Sequence, residues 1–404
     1  MTAATVNPPA AEDGATRSRL GHLLDKPHLP LLLTCLTLVA IGLLMILSAS
    51  SVQAFSRFGT SFSYFKRQMV GVVIGLVAMA VMARSDYRHL RPLARPLLGA
   101  CLVMLAAVIL PGIGSTRGGS SRWLIVGPLS IQPSEIAKLA LIIFVATVLE
   151  SKGVKIRDPR ELAVPVLPMT GLVCLLVIAQ PDLGTTIILG GSVLVILFLA
   201  GAQMRHVGLL SAFGLISVVI LAFTRSYRRE RVFSFLNPWA DPLNTGYQVI
   251  QGQIALGSGG FFGVGLGASR QKWSYVPNAH TDFIFAIIGE ELGLAGTLIV
   301  LILFVFLMYL GIRVARQAPD RFGMLLAGGI TGVIAMQALI NMGAISGLLP
   351  ITGVPLPLIS FGSSSLVLTM ASVGILLSIA KRGKKSSGKA RSTPAINPKV
   401  AVKA

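Results

Sequence analysis

Residues able to perform acid–base chemistry gather at 277–291, where a polar segment meets a long apolar run. His280 and Asp282 lie on the polar side of this boundary, and Glu290 and Glu291 lie inside the apolar run. A carboxylate near hydrocarbon is costly unless it faces a cavity or a partner, so these residues are candidates for function. A carboxylate at such a boundary could act as a general base toward a hydroxyl nucleophile.

Each of these acids also has a purely structural interpretation. Thr281 or Asp282 could cap the helix that begins near residue 283, and for Asp282 capping and base catalysis are equally weighted on the residues alone. Asp182 could likewise cap a following helix or contact substrate. For Glu290 and Glu291 the structural interpretation is preferred, with at least one facing the protein interior.

A second polar pair, Glu135 and Lys138, follows Pro133, a residue suited to the first turn of a helix. The spacing of three places both side chains on one helix face, and the helix dipole favours the acid near the N-terminus. The pair is interpreted either as a structural ion pair or as part of the lining of a substrate cavity, and both alternatives stay open.

The composition identifies the elements that must position these residues. The chain has 404 residues, of which 53% are hydrophobic and only 12% charged, whereas a soluble domain carries about 25% charged residues. The three cysteines are odd in number and lie in apolar runs, so they do not imply a disulfide framework. The glycine run at 263–267 has no preceding strand and no βαβ unit, which excludes a dinucleotide fingerprint. The sequence therefore predicts an all-α polytopic membrane protein.

About ten transmembrane helices are expected from the apolar runs. The turn at 180–184 separates two of them, and the run at 283–312 is long enough to require tilting or protrusion. The predicted spans are 29–50, 68–83, 96–110, 133–149, 163–180, 184–201, 206–223, 283–312, 322–345 and 361–380.

The distribution of Lys and Arg predicts the orientation in the membrane. Basic residues are more numerous in the loops that share a side with the C-terminal tail, so both termini are expected in the cytoplasm. The domains follow as a disordered cytoplasmic arm at 1–28, a transmembrane domain at 29–380 with a large external loop at 224–282, and a basic cytoplasmic tail at 381–404.

The net charge of +20 does not indicate a nucleic-acid partner, because the charge lies in short loops and in the tail. Arginines at 225–231, and more weakly Arg117 and Arg122, violate the expected asymmetry on the outer side. Two explanations remain equally weighted for the cluster at 225–231. One is an anionic substrate on the outer face, and the other is snorkelling of helix-end side chains to lipid headgroups.

A series of motifs in fixed order resembles the SEDS family (shape, elongation, division and sporulation proteins), which includes FtsW, RodA and SpoVE. The resemblance covers residue 29 to about 380 and is closest to the FtsW branch. One departure is Phe361-Gly362-Ser363-Ser364-Ser365, where the family commonly has Tyr-Gly-Gly-Ser-Ser. The motifs lie at 67–68, 121–123, 132–138, 180–185, 237–239, 263–267, 280–293 and 356–364.

The resemblance implies a peptidoglycan glycosyltransferase of the bacterial cytoplasmic membrane. Such an enzyme polymerises lipid II on the outer face, for septal or elongation wall synthesis. It works beside a class B penicillin-binding protein and other membrane proteins of the division or elongation machinery. The resemblance implies that Asp282 is the catalytic carboxylate. The candidate substrate-binding residues are Arg67, Arg122, Trp123, Glu135, Lys138, Asp182, His280, Ser360, Ser363 and Ser364.

The implied reaction explains why such residues are needed. The acceptor 4-hydroxyl attacks C1 of the donor sugar, so a general base worth about 10²–10⁴ in rate is expected. The departing undecaprenyl diphosphate requires cations, which arginine supplies and which a divalent ion such as Mg²⁺ or Mn²⁺ could share. No other cofactor is expected. A lipid II flippase and a non-catalytic division scaffold are the competing functions, although no obvious inverted repeat favours a transporter.

Overall fold

The computed structural model describes residues 27–112, 114–117, 120–126, 129–153, 158, 164–273 and 279–390. Most of the predicted arm at 1–28 and the end of the predicted tail at 381–404 lie outside the described residues. The described residues form twelve α-helices. They are α1 His28–Phe58, α2 Ser63–Arg84, α3 Leu90–Ile109, α4 Pro133–Lys152, α5 Val166–Ala179, α6 Leu183–Leu199, α7 Met204–Phe223, α8 Ser226–Leu236, α9 Tyr247–Ser258, α10 Ile284–Arg316, α11 Arg321–Ile345 and α12 Ser363–Ala390.

The all-α polytopic prediction is confirmed. Seven described helices, α1–α3, α7 and α10–α12, are long and apolar enough to cross a membrane. The apolar helices α5 and α6 are shorter, and α4 has 20 residues but carries charges at both ends. These ten helices correspond in order to the ten predicted spans. The predicted external loop contains α8, α9 and a 3₁₀ turn at Pro238–Ala240.

A small sheet lies between α3 and α4. Its antiparallel strands are β1 Ser115–Arg117, β2 Ser120–Val126 and β3 Leu129–Ile131, in the order β1-β2-β3. Thr116 pairs with Ser121, and Leu124 pairs with Ile131. The sheet places Arg122 and Trp123 on its middle strand, beside the start of α4.

The helices differ greatly in how far they are enclosed. In the most apolar stretch of 18 residues in α11, 72% of the residues are buried, whereas in the corresponding stretch of α7 only 6% are buried. Helix α11 therefore lies at the centre of the bundle, and α7 exposes its apolar side chains as a lipid-facing helix does. Close packing between α2 and α12 depends on Gly374, where an added Cβ would lie 2.5 Å from the Met79 carbonyl oxygen.

Helix α10 is broken at Gly293, whose φ is +67° and ψ is −164°. The sequence predicts one long helix that tilts or protrudes, but the positive φ interrupts the helix at a glycine that tolerates it. The part after the break, 294–316, is about 34 Å long at 1.5 Å per residue, so it can cross the hydrocarbon alone. The part before the break is buried along its length and carries the acidic pair.

The glycine run at 263–267, in the loop predicted to be external, pairs with this break. Val264 N donates to Glu290 O at 3.0 Å, and Gly265 N donates to Glu291 O at 3.1 Å. Gly263 has a φ of +82°, and a Cβ there would lie 2.2 Å from the Glu291 carbonyl oxygen. The run therefore supplies donors to carbonyls that the broken helix leaves unpaired. Glycines here permit the tight turns and the close backbone approach that this pairing requires.

Candidate active site

Asp282 lies two residues before α10 and is partly exposed. The N-cap position is held by Phe283 without a side-chain cap bond, so neither Thr281 nor Asp282 is the N-cap residue. Among the described residues, no hydrogen bond reaches the Asp282 carboxylate. A Cβ added at Gly353 would lie 3.5 Å from Asp282 Oδ2 and 3.9 Å from Arg231 Nη1. The carboxylate is therefore available for chemistry beside a cation.

Burial raises the pKa of the Asp282 carboxyl from 3.8 to about 6. The charges of Arg231 and Arg122 act in the opposite direction, and the charge of Asp182 adds to the rise in pKa. A general base is most effective when its pKa lies near the working pH. Desolvation and the two guanidinium groups together give Asp282 a pKa suited to accepting a proton near neutrality.

Two arginines contribute positive charge to this site from different elements. Arg122, on β2, has Nη1 3.6 Å from Asp182 Oδ2 and donates from Nε to Gln180 O at 2.9 Å. Arg231, on α8, is exposed and donates from Nη1 to Ile351 O at 3.4 Å. Arg231 is absent from the predicted site residues, although it belongs to the outer arginine cluster that the sequence identifies.

The other arginines of that cluster behave differently. Arg228 is buried and donates to Tyr227 Oη at 2.8 Å and to Leu221 O at 3.3 Å, which gives it a structural role. Arg225 and Arg229 are exposed. The cluster therefore divides into one arginine that packs within the protein, one that faces Asp282 and others that face outward.

Asp182 has the helix-capping role that is one of its two predicted interpretations, and it also pairs with Arg122. Its Oδ1 accepts from Thr185 N at 3.1 Å, so it caps α6 as expected. Its Oδ2 forms the ion pair with Arg122 described above. Asp182 thereby orients the guanidinium that acts on Asp282, while a direct contact of Asp182 with substrate stays a prediction.

His280 supports the segment that leads to Asp282. Its ring is buried, with ring centroids 4.6 Å from Tyr64 and 5.5 Å from Phe361. Burial, with a smaller contribution from the charge of Arg57, lowers the pKa of His280 to about 4, so the imidazole is neutral at pH 7. This geometry favours packing for His280, and its predicted contact with substrate stays a prediction. Phe361, the departure from the family motif, supplies the third ring of this cluster.

The three predicted serines form hydrogen bonds to backbone groups around the site. Ser360 Oγ donates to Thr281 O at 2.7 Å and accepts from Leu356 N at 2.8 Å. Ser363 Oγ donates to Arg67 O at 3.4 Å, and Ser364 Oγ donates to Ser130 O at 2.6 Å. These bonds connect the start of α12 to the strands and to α2, and they position the chain beside Asp282.

Arg67 lies on α2, which Ser363 contacts, and Trp123 lies on β2, next to the strand that Ser364 contacts. The Arg67 guanidinium lies over the Phe58 ring at 5.2 Å from the centroid. Trp123 is half-buried on β2 and pairs across the sheet with Ser115. Gln68, which sequence analysis did not select, donates to Ser360 O at 3.3 Å and accepts from Gly362 N at 3.2 Å. Contacts of Arg67 and Trp123 with substrate stay predictions.

Glu290 and Glu291 are buried and form hydrogen bonds and an ion pair with other residues of the protein. Glu290 accepts from Ser269 Oγ at 2.5 Å and from Arg270 N at 2.8 Å. Glu291 accepts from Ser48 Oγ at 2.6 Å and lies 3.8 Å from Lys272 Nζ. Both acids therefore connect the loop between α7 and α10 to the first part of α10. The expectation that at least one faces the interior is confirmed, because both are buried.

Glu135 and Lys138 form a buried ion pair inside the bundle. Lys138 Nζ lies 2.8 Å from Glu135 Oε1, and it donates to Gln337 Oε1 at 2.7 Å. The pocket beside them holds about 20 Å³ of space for water, enough for roughly one water molecule. That volume is far below the size of a sugar, so this geometry favours the structural alternative for the pair.

Single replacements Glu135→Leu and Lys138→Met are each expected to destabilise the protein strongly, by about 3–5 kcal/mol, because the remaining charge is buried without its partner. The double replacement should fold nearly as well as wild type. Thermal unfolding of the purified proteins in detergent measures this difference. Equal stability of the single variants and wild type, or a double variant no better than the singles, would contradict the ion-pair interpretation.

Comparisons with known proteins agree with this geometry. Residues 29–385 match the FtsW/RodA/SpoVE family, described as cell cycle proteins. Stage V sporulation protein E of Bacillus subtilis (strain 168) is 44% identical over 355 residues, which are 88% of this chain and 97% of that protein. The probable peptidoglycan glycosyltransferase FtsW of Geobacter metallireducens is 41% identical over 361 residues, which are 89% of this chain and 96% of that protein.

Two solved structures share the fold. A chain from a peptidoglycan synthase complex that coordinates polymerization and crosslinking is 32% identical, with a TM-score of 0.72, and the match covers 87% of this chain and 97% of that chain. The rod shape determining protein RodA of Thermus thermophilus is 29% identical, with a TM-score of 0.65, and the match covers 87% and 95% of the two chains.

Proposed function

The chain belongs to the FtsW/RodA/SpoVE family of cell cycle proteins and is a peptidoglycan glycosyltransferase, in which we propose that Asp282 is the general base. The observation that carries this assignment is a carboxylate that caps no helix and lies beside Arg231 at the mouth of the helix bundle. Its pKa of about 6 suits it to accept a proton.

The proposed reaction uses two lipid II substrates, or a growing strand and one lipid II. Asp282 removes the proton from the acceptor 4-hydroxyl while that oxygen attacks C1 of the donor sugar. The bond from C1 to the diphosphate oxygen breaks, and undecaprenyl diphosphate departs with the electron pair. Attack from the face opposite the leaving group inverts the configuration at C1. Each catalytic cycle forms one glycosidic bond and releases one undecaprenyl diphosphate and one proton.

Arg231 and Arg122 are proposed to stabilise the departing diphosphate. Both guanidinium groups lie close enough to Asp282 for their charges to lower its pKa. Negative charge accumulates on the diphosphate as the bond to C1 breaks, and arginine binds phosphate oxygens through two parallel N–H donors. Arg122 is oriented by Asp182, whereas Arg231 is exposed and donates to Ile351 O over a long 3.4 Å.

A divalent ion such as Mg²⁺ or Mn²⁺ is a further proposal at this site. Among the described residues, no group of three or more His, Cys, Asp or Glu side chains could hold a metal ion. Magnesium commonly binds through one or two carboxylates together with substrate phosphates. Asp282 would be the carboxylate ligand in such an arrangement, because both oxygens of Asp182 are engaged with Thr185 and Arg122, and the diphosphate would supply further ligands.

The proposed partner is a class B penicillin-binding protein that crosslinks the new glycan. The similar chain from the peptidoglycan synthase complex belongs to an assembly that couples polymerization to crosslinking. Other membrane proteins of the division or elongation machinery are proposed as further partners. Polymerisation of fluorescent lipid II by the purified protein, with and without its transpeptidase, is the direct test of the activity. Translocation without polymer would instead favour the flippase alternative.

Both termini are proposed to be cytoplasmic and the loop at 224–282 external, because Lys and Arg concentrate on the other side of the membrane. A cysteine introduced by Thr245→Cys should react with an impermeant thiol reagent in intact cells, and one introduced by Ala390→Cys should react only after permeabilisation. The parent protein without these substitutions is the control. Labelling at position 390 but not at position 245 in intact cells would reverse the topology.

A further inference from the structure

Two buried carboxamides on α11 connect the internal ion pair to the backbone beside Asp282. Gln337 accepts from Lys138 Nζ at 2.7 Å and donates from Nε2 to Pro355 O at 3.0 Å. Asn341, one helical turn later, donates from Nδ2 to Val354 O at 2.7 Å and to Asp282 O at 2.8 Å. Residues four apart share one face of a helix. The two amides therefore hold two successive carbonyls of one loop, and Asn341 also holds the carbonyl of Asp282 itself.

This arrangement determines what surrounds the Asp282 carboxylate. Gly353 directly precedes the two bound carbonyls, and its φ is +74°. A Cβ at that glycine would lie 3.5 Å from Asp282 Oδ2. The same loop accepts a hydrogen bond from Arg231 at Ile351 O. The position of this loop therefore determines which backbone lies against the Asp282 carboxylate. It also determines where the Ile351 carbonyl accepts the hydrogen bond from Arg231.

The ion pair has a use in this arrangement that requires no contact with substrate. Lys138 Nζ lies 2.8 Å from Glu135 Oε1. The side chains of this pair and of the two carboxamides, Gln337 and Asn341, are all buried. A charged donor forms a stronger hydrogen bond to Gln337 than a neutral one, and it fixes which end of the carboxamide faces Pro355. Gln337 must then present its N–H group, and not its oxygen, to the loop carbonyl. The adjoining pocket of about 20 Å³ has no room for a sugar.

We propose that Gln337 and Asn341 are positioning residues that connect the Glu135–Lys138 ion pair to Asp282, and we name this set the amide relay. The proposal rests on the assignment of Asp282 as the general base. In the amide relay, Glu135 orients Lys138, Lys138 orients Gln337, and the two amides fix residues 353–355 and the Asp282 carbonyl. The relay places the base for proton transfer and leaves the affinity for lipid II to other residues.

The relay is tested by separating turnover from affinity. Gln337→Met removes the donor and the acceptor at similar side-chain length, and Asn341→Ala removes both bonds at the far end. Each variant should lower kcat for lipid II polymerisation by about 10–100-fold, because small displacements of a catalytic group are costly in rate. KM should change by no more than about twofold, since no substrate contact is lost. The double replacement Glu135→Leu with Lys138→Met should show the same pattern.

Thr331→Val is the matched control, because Thr331 is buried on the same helix and, among the described residues, its hydroxyl bonds only to Ala327 O of that helix. Its kcat and KM should equal those of wild type. Two variants at different points keep the test decisive if one of them fails to fold. A raised KM with unchanged kcat would assign these residues to substrate binding and overturn the proposal, as would unchanged values of both constants.

The outcome is distinguishable from that for the general base. If Asp282→Asn is inactive while both relay variants polymerise normally, only the relay is overturned. If Asp282→Asn retains turnover, the assignment of the base fails, and the relay loses its function with it.

Discussion

Asp282→Asn is expected to lower the rate of lipid II polymerisation by about 10²-fold or more, because the amide cannot accept the proton of the attacking hydroxyl. The substitution keeps the shape of the side chain, and asparagine remains a competent helix cap. The structure removes the capping explanation independently, since Phe283 occupies the N-cap position of α10. Turnover of the purified variant, compared with wild type at equal protein concentration, measures the effect.

Folding provides the control for this substitution. The pKa of the Asp282 carboxyl is raised from 3.8 to about 6 by burial, so the folded protein favours the protonated acid. The stability that this group contributes is complete below its unfolded pKa and is lost as the pH rises through about 6. At pH 7.5 the neutral amide should therefore unfold at the same temperature as wild type or a higher one. An inactive variant of undiminished stability supports the base.

Binding of lipid II separates the remaining explanations. Asp282→Asn should retain affinity, because the proposed phosphate ligands are Arg122 and Arg231 and both are preserved. Lost polymerisation with retained binding supports base catalysis over a flippase function, since translocation makes no glycosidic bond. Near-normal turnover would refute the assignment of Asp282 as the base.

The sequence predicts the fold well because each membrane span is a local signal. Ten apolar runs, their order and a long loop between the seventh and eighth are all present in the structure. The break at Gly293 is different, because it depends on pairing between α10 and a loop about 30 residues earlier in the chain. A glycine within an apolar run carries no local indication of such a partner. The prediction of one continuous helix over 283–312 is therefore wrong, whereas its tilt or protrusion stays a prediction.

The candidate site shows the same division between local and long-range information. Residue type and position identify Asp282 as a candidate, but only the structure shows that Phe283, and not Asp282, holds the N-cap position of α10. The outer arginine cluster is visible in the sequence, yet Arg228 and Arg231 have opposite environments that no local pattern distinguishes. Gln337 and Asn341 lie within an apolar helix, and their partners are backbone carbonyls of distant residues. Side chains that bond to backbone leave no complementary residue type for sequence reasoning to find.

The pH dependence of turnover should report the charge that surrounds the base. Polymerisation by wild type is expected to rise with pH through about 6, because Asp282 must be deprotonated to accept a proton. Arg231 lowers the pKa of that carboxyl, so Arg231→Gln should move the acid limb of the kcat profile to higher pH. The same substitution should lower kcat at pH 8 by about 10–100-fold, because a charge-assisted contact to the leaving diphosphate is lost.

Arg229→Gln is the matched control for Arg231→Gln. Arg229 is exposed on the same helix, and its replacement removes the same charge. A general effect of net charge would move both profiles equally, whereas a local effect on Asp282 moves only that of the Arg231 variant. If the kcat of Arg231→Gln is normal at pH 8 but lowered at pH 6, the role of Arg231 is limited to lowering the pKa of the base. An unchanged acid limb together with unchanged kcat would remove Arg231 from the site. If both quantities change as expected, one guanidinium both keeps the base ionised and receives the charge that the reaction releases.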